Sequence, residues 1–222
     1  NTLTNQSEYD GIANMQDRSD EPPWCGSLSY HPAGGVQTLT NVTIENGGIS
    51  DHAPSATLNL TGVNLSYSTN VDWINGYRFA DHGYTVNGTP NITYHVSSAL
   101  NNLDSVLANV QNGDNIVLDS NLDLTKQLTL DKAVTLNGKN HTIKPTFAKT
   151  NNSNIAAIGI QANGVTVEKV KINGVDGTDL HGINVYNSEN VLLDGVTLKN
   201  NDHSGLNVDG SQVTVNDITT DG

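Results

Sequence analysis

The sequence predicts an all-β solenoid, a parallel β-helix, from three observations. The first is self-similarity: Val165-Thr-Val167-Glu-Lys-Val170-Lys-Ile172 is followed by Val191-Leu-Leu193-Asp-Gly-Val196-Thr-Leu198, then by Val213-Thr-Val215-Asn-Asp-Ile218-Thr-Thr220. Between these blocks lie Gly182-Ile183-Asn184-Val185 and Gly205-Leu206-Asn207-Val208, 23 residues apart. A fixed period of this size marks an architecture in which each repeat buries its apolar face on its neighbours. The second is alternation of β-branched and apolar residues at period two, with no helical spacing. The third is punctuation by Asn-Gly, Asp-Gly and Asn-Asp turns. Leucine-rich repeats share the period, but this stretch lacks their Leu-x-x-Leu-x-Leu frame and asparagine ladder.

The repeated Gly-Ile-Asn-Val, turn, Val-x-Leu, turn, Val-x-Leu pattern resembles the right-handed parallel β-helix of the pectate-lyase-like superfamily over roughly residues 97–222. The resemblance implies the fold. It leaves function open, because that superfamily holds lyases, hydrolases, phage tailspikes and non-enzymatic adhesins.

Taken in order, residues 1–35 are polar and irregular and read as an extended arm or ordered loop. Residues 36–74 carry short alternating runs (Val36 to Leu39, Val42 to Ile44, Thr57 to Leu60, Val63 to Tyr67) that predict strands. They form either a small β-module or early, irregular coils of the solenoid. Of eleven aromatic residues, nine precede residue 112. Among these, Trp73 and Tyr77, with Arg78 beside them, are candidates for stacking on a sugar and contacting its carboxylate. Packing of a module without a repetitive core explains the same rings.

Residues 96–110 place Val96, Leu100, Leu103, Val106, Leu107 and Val110 at helical spacing, with Ser97 or Ser98 positioned as the cap. This predicts a short helix of the kind that closes the amino-terminal end of many parallel β-helices. The expected division is therefore an irregular, β-rich segment over 1–96 and a β-helix over 97–222. The last repeat strand ends beside Gly222, so a further coil, cap or partner is expected beyond it.

Composition narrows the function. A net charge of −13 argues against non-specific nucleic-acid binding. No apolar run reaches the roughly 18 residues of a membrane span, so direct membrane insertion is not expected. The single Cys25 excludes an internal disulfide framework. All eight lysines follow residue 125, and Lys126, Lys132, Lys139, Lys144 and Lys149 crowd one window that contains His141 and only one acid, Asp131. On an acidic chain this island, with Arg78, Trp73 and Tyr77, is the candidate ligand-binding set for an acidic polysaccharide. Lysines that blunt strand edges would produce the same cluster.

Carboxylates gather later, at Glu168, Asp176, Asp179, Glu189, Asp194, Asp202, Asp209, Asp217 and Asp221. A lyase would use such groups to hold calcium beside a base that removes the proton α to a uronate carboxylate. Residues 97–222 contain no arginine for that base, and the polygalacturonase motifs are absent apart from a partial echo in Leu180-His181-Gly182. Asp176, Asp179 and Asp202 are expected to meet on one ridge near His181 and His203, as solvated turn residues. No catalytic residue, metal ligand or cofactor is assigned, calcium entering only under the lyase alternative.

The whole resembles the binding regions of serine-rich-repeat adhesins of lactobacilli, in architecture, acidity and Asn/Thr-rich style. That resemblance implies an extracellular, cell-surface region within a longer surface protein that recognises host, matrix or plant-type polysaccharides, and a monomer is expected. The charge balance adds an expectation of its own: towards pH 4–5 histidines gain charge and carboxylates begin to protonate, so binding of an acidic polysaccharide, pectin-like or host-derived, should strengthen on acidification. The alternatives are a calcium-dependent polysaccharide lyase, a glycoside hydrolase, or a structural subunit such as a tailspike.

Overall fold

The computed structural model describes residues 2–4, 28–30, 35–46, 49–51, 56–68, 85–151 and 155–221. The chain divides into two compact units, residues 1–94 and 95–222.

The described part of the first unit is built from parallel strands: β1 (Thr2–Thr4), β2 (Leu28–Tyr30), β3 (Gly35–Thr40), β4 (Thr43–Glu45), β5 (Ile49–Asp51), β6 (Ala56–Thr61), β7 (Asn64–Tyr67), β8 (Thr85–Asn87) and β9 (Asn91–Val96), the last running through the boundary. β4, β7 and β9 pair in register, so Ile44, Leu65 and Ile92 form one buried column. Tyr67 stacks on Tyr94 in the same ladder, with ring centroids 5.5 Å apart. Parallel partners 21 residues apart in β3 and β6 (Gly35 with Ala56) show coils here, not hairpins. Two of these strands, β1 and β2, lie in the stretch expected to be irregular.

The second unit opens with a helix, α1 (Leu103–Asn109), shorter than the sequence pattern implies. Ser97 does not cap it. Its Oγ accepts from Leu100 N–H (3.2 Å) and holds a preceding turn. The helix starts after Asn102, whose side chain is occupied elsewhere: Nδ2 donates to the His95 carbonyl (2.8 Å) and Oδ1 accepts from Ser97 N–H (3.3 Å). Val106 and Val110 are buried by the turn of helix that remains.

Strands follow in threes: β10 (Asn115–Leu118), β11 (Leu122–Leu124) and β12 (Leu128–Leu130); β13 (Thr135–Asn137), β14 (Thr142–Pro145) and β15 (Ala156–Ile160); β16 (Thr166–Glu168), β17 (Lys171–Asn173) and β18 (His181–Tyr186); β19 (Val191–Asp194), β20 (Thr197–Lys199) and β21 (Leu206–Asp209); then β22 (Val213–Asn216) and β23 (Thr219–Asp221). Corresponding strands of successive coils pair in parallel, giving a first sheet (β10, β13, β16, β19, β22), a second (β11, β14, β17, β20, β23) and a third (β12, β15, β18, β21). This is a parallel β-solenoid.

Period-two alternation turns one residue in two inward, and parallel register stacks like upon like. Ile116, Leu136, Val167, Leu193 and Val215 form one column. Leu122, Ile143, Ile172 and Leu198 form another, and Leu130, Ile160, Val185 and Val208 a third. Each fully buried aliphatic side chain in these columns contributes about 1.5–3 kcal/mol. The exceptions are the last described strands of the third and first sheets, where Val208 and Val215 are exposed.

The corners rely on left-handed backbone. Lys169, Gly195 and Asp217 take positive φ at the same corner between the first and second sheets, three coils running. There the N–H of Lys169 donates to Asp194 O, and that of Gly195 to Asn216 O. Gly174 serves closeness rather than handedness: a Cβ would collide with the Asn200 carbonyl of the next coil.

Candidate functional site

The lysine island is contiguous in sequence but not in space. Lys132 sits at the corner between the third and first sheets, paired with Asp131 (3.1 Å). Lys139 lies at the corner between the first and second sheets and bonds Asp119 (2.7 Å), which also receives His95 Nδ1 at 2.7 Å. Partial burial works to raise the Asp119 carboxyl, but hydrogen bonds from Lys139 and His95 prevail and hold it below the ordinary aspartate range. Lys126 and Lys149 belong to segments joining the second and third sheets, and pair with Asp104 (2.9 Å) and Asp179 (2.9 Å). Half-buried His141 contributes its carbonyl to the Lys171 N–H at 3.1 Å. Lys144 alone of the five lysines points out from a strand and makes no ion pair among the described residues. Trp73, Tyr77 and Arg78 lie outside the described residues.

What surrounds Lys144 comes from other coils. The outward row of the second sheet reads Asp123 opposite Lys144, and Asn173 opposite Lys199 opposite Asp221. Thr142 opposite Lys171 is the preceding row, continued by Thr197 and Thr219. Continuing the β14–β17 register places Lys144 beside Asn173. Exposed Lys144, Lys171 and Lys199 therefore stand on three consecutive rungs around Asn173, about 4.8 Å per rung. Lys199 has a long contact with Asp221 (3.5 Å), while Lys171 makes no ion pair among the described residues. A shallow trough of about 510 Å³ runs over this face, lined by Thr142, Lys171, Asn173, Thr197, Lys199 and Thr219. Lys171 and Lys199 were hidden from a linear reading because they lie 27 and 28 residues beyond their neighbours in the strip (Lys144 to Lys171, Lys171 to Lys199). Aligning the repeats on Ile143, Ile172 and Leu198 is the signal that finds them.

A second cluster forms on the ridge between the second and third sheets. Asp179 pairs with Lys149 and with His203 Nδ1 (3.2 Å), and its N–H donates to Asp202 Oδ2 (2.6 Å). The hydrogen bond from Lys149 foremost holds the Asp179 carboxyl below its ordinary range. His181 is only 4% exposed, its Nδ1 lies 2.6 Å from Ser204 Oγ, and its ring meets His203 edge-on with centroids 4.5 Å apart. Its Nε2 is buried without a hydrogen-bond partner. Burial first, then the neighbouring His203 and Lys149, push its pKa down against the opposing pull of Asp179. His181 is thus a neutral imidazole at physiological pH, held by a serine rather than oriented by a carboxylate. Of the residues expected to meet on this ridge, Asp179, Asp202, His181 and His203 come together, joined by Lys149 and Ser204, whereas Asp176 is an exposed turn residue that makes no ion pair among the described residues. No set of three metal-ligating side chains occurs among the described residues.

No family model, curated protein or solved structure matches this chain.

Proposed function

We propose that this chain is a non-catalytic carbohydrate-binding region of a bacterial surface adhesin that takes acidic polysaccharide, pectin-like or host-derived. The observation that carries the reading is the outward face of the second sheet. Three lysines occupy consecutive rungs there, among threonine and asparagine side chains able to bond hydroxyls, on a chain of net charge −13. The stylistic resemblance to pectate-lyase-like solenoids and serine-rich-repeat adhesins supports the same direction. Export and attachment at the cell surface follow from that reading and belong to it.

The reading carries a pH dependence. Carboxylates in general begin to take up protons below about pH 5, which on a chain of net charge −13 relieves the general repulsion of a polyanion. Binding to polygalacturonate is expected to be stronger at about pH 4.5 than at about pH 7.5, and to weaken with added salt. Affinity that is flat or falling on acidification overturns the proposal.

One observation favours an enzyme instead: Asp179, Asp202, His181 and His203 converge on one ridge. Under that reading calcium and a polyuronate together would release an unsaturated product. Measuring binding and product in the same incubation, with and without calcium, separates the two. Binding without product supports the adhesin region.

A further inference from the structure

We infer that an acidic polysaccharide lies lengthwise over the second sheet, parallel to the solenoid axis, with one charged sugar to each rung. This rests on the binding role proposed above and adds a rule of selection to it. The rule comes from the ladder itself. Lys144 and Lys199 are two rungs apart in one row, on the order of 10 Å, with Asn173 between them. Lys171 stands on the middle rung, two residues along the strand from Asn173 and so about 7 Å to the side. Each rung therefore presents one ammonium, alternately on either side of a line along the axis. A rung is about as high as a pyranose ring is long. A polymer charged on every sugar meets one lysine at each step, while a polymer charged on every second sugar leaves Lys171 or its flanking pair facing hydroxyls.

The ends of the strip agree with a short, bounded site. Asp123 lies in the row beside Lys144, and Asp221 beside Lys199. Both carboxylates repel a fourth and fifth anion, so the strip accommodates about three consecutive charges. A polyanion lying across the sheet, along one strand, would follow one rung, meet a single lysine and gain nothing from the repeat. The threonines of the neighbouring row, Thr142, Thr197 and Thr219, give hydroxyl partners along the same axial line.

The test compares two polymers of the same carboxylate chemistry and different charge period: polygalacturonate, charged on every sugar, and hyaluronan, charged on every second one. Titrations at equal carboxylate concentration and low salt are expected to give roughly tenfold tighter binding of polygalacturonate, the equivalent of about 1.4 kcal/mol. Lys171→Gln is expected to remove most of that preference. Lys171 is exposed on an outer face, so the glutamine variant keeps the buried Ile172 column, and its thermal melt serves as the folding control. Equal binding of both polymers, lost together in the Lys144→Gln/Lys171→Gln/Lys199→Gln variant, overturns the one-sugar-per-rung rule and keeps acidic-polysaccharide binding on this face. Binding unchanged in that triple variant overturns the site. No binding of either polymer overturns the function proposed above and this inference with it.

Discussion

At the scale of single residues, His181 is the most informative side chain in the second unit. A buried imidazole whose Nε2 finds no partner is tolerated only while neutral, because a second proton would place a cation in the corner beside Lys149 and His203. The sign of the resulting pH dependence follows from linkage. The unfolded chain takes up this proton near pH 6.5, whereas the folded chain takes it up only at lower pH. Stability is therefore full above about pH 6.5 and falls as pH drops through the folded value. The lowered carboxyls of Asp119 and Asp179 act in the same direction, but only through the acid range below about pH 4. Thermal melts from neutral to acid pH are expected to show two stages of loss. His181→Phe, which keeps a buried ring and cannot titrate, should erase the upper stage and spare the lower. An unchanged upper stage would mean that another group controls it.

At the scale of elements, the corner between the first and second sheets shows how the turns are made and where they are strained. Lys169 occupies a left-handed position that its counterpart in the next coil fills with Gly195. A residue with a Cβ there costs roughly 1–2 kcal/mol relative to glycine's freedom, offset in part by glycine's larger entropy in the unfolded chain. Lys169→Gly is expected to stabilise the protein by about 0.5–1 kcal/mol, read as a higher denaturant midpoint with an unchanged slope. The helix α1 teaches a different point about elements. Ser97 has the side chain of a good cap, but its hydroxyl serves the turn at Leu100, and the helix begins only after Asn102.

At the scale of the molecule, stability in the second unit is distributed along stacked aliphatic columns, each coil resting on the next. Such an array behaves as a sum of coil and interface contributions. Leu193 is fully buried between Val167 and Val215 in the column of the first sheet. Leu193→Ala is expected to cost about 2–5 kcal/mol. Because the loss is local, amide exchange should accelerate first in the coils containing β16 to β23, while β10 and β11 keep their protection. Uniform acceleration over residues 95–222 would show one cooperative block instead.

The sequence by itself determined the solenoid of the second unit, because period-two alternation and a period of 22–26 residues admit one way of burying the apolar positions: parallel stacking in register. It also marked the ridge where Asp179, Asp202, His181 and His203 meet, since equivalent positions of a repeat must fall side by side. It did not show that β3 pairs with β6 and β4 with β7 in parallel, because their runs are short and their spacing irregular, and a strand's alternation does not say which strand it pairs with. Nor did it show which lysines share a face. Lys126 to Lys149 are neighbours along the chain, but one coil carries its residues through three corners, so most of that island disperses and meets carboxylates. Only the tertiary register sets Lys144, Lys171 and Lys199 on successive rungs, because contact in a solenoid is made one full turn away in sequence.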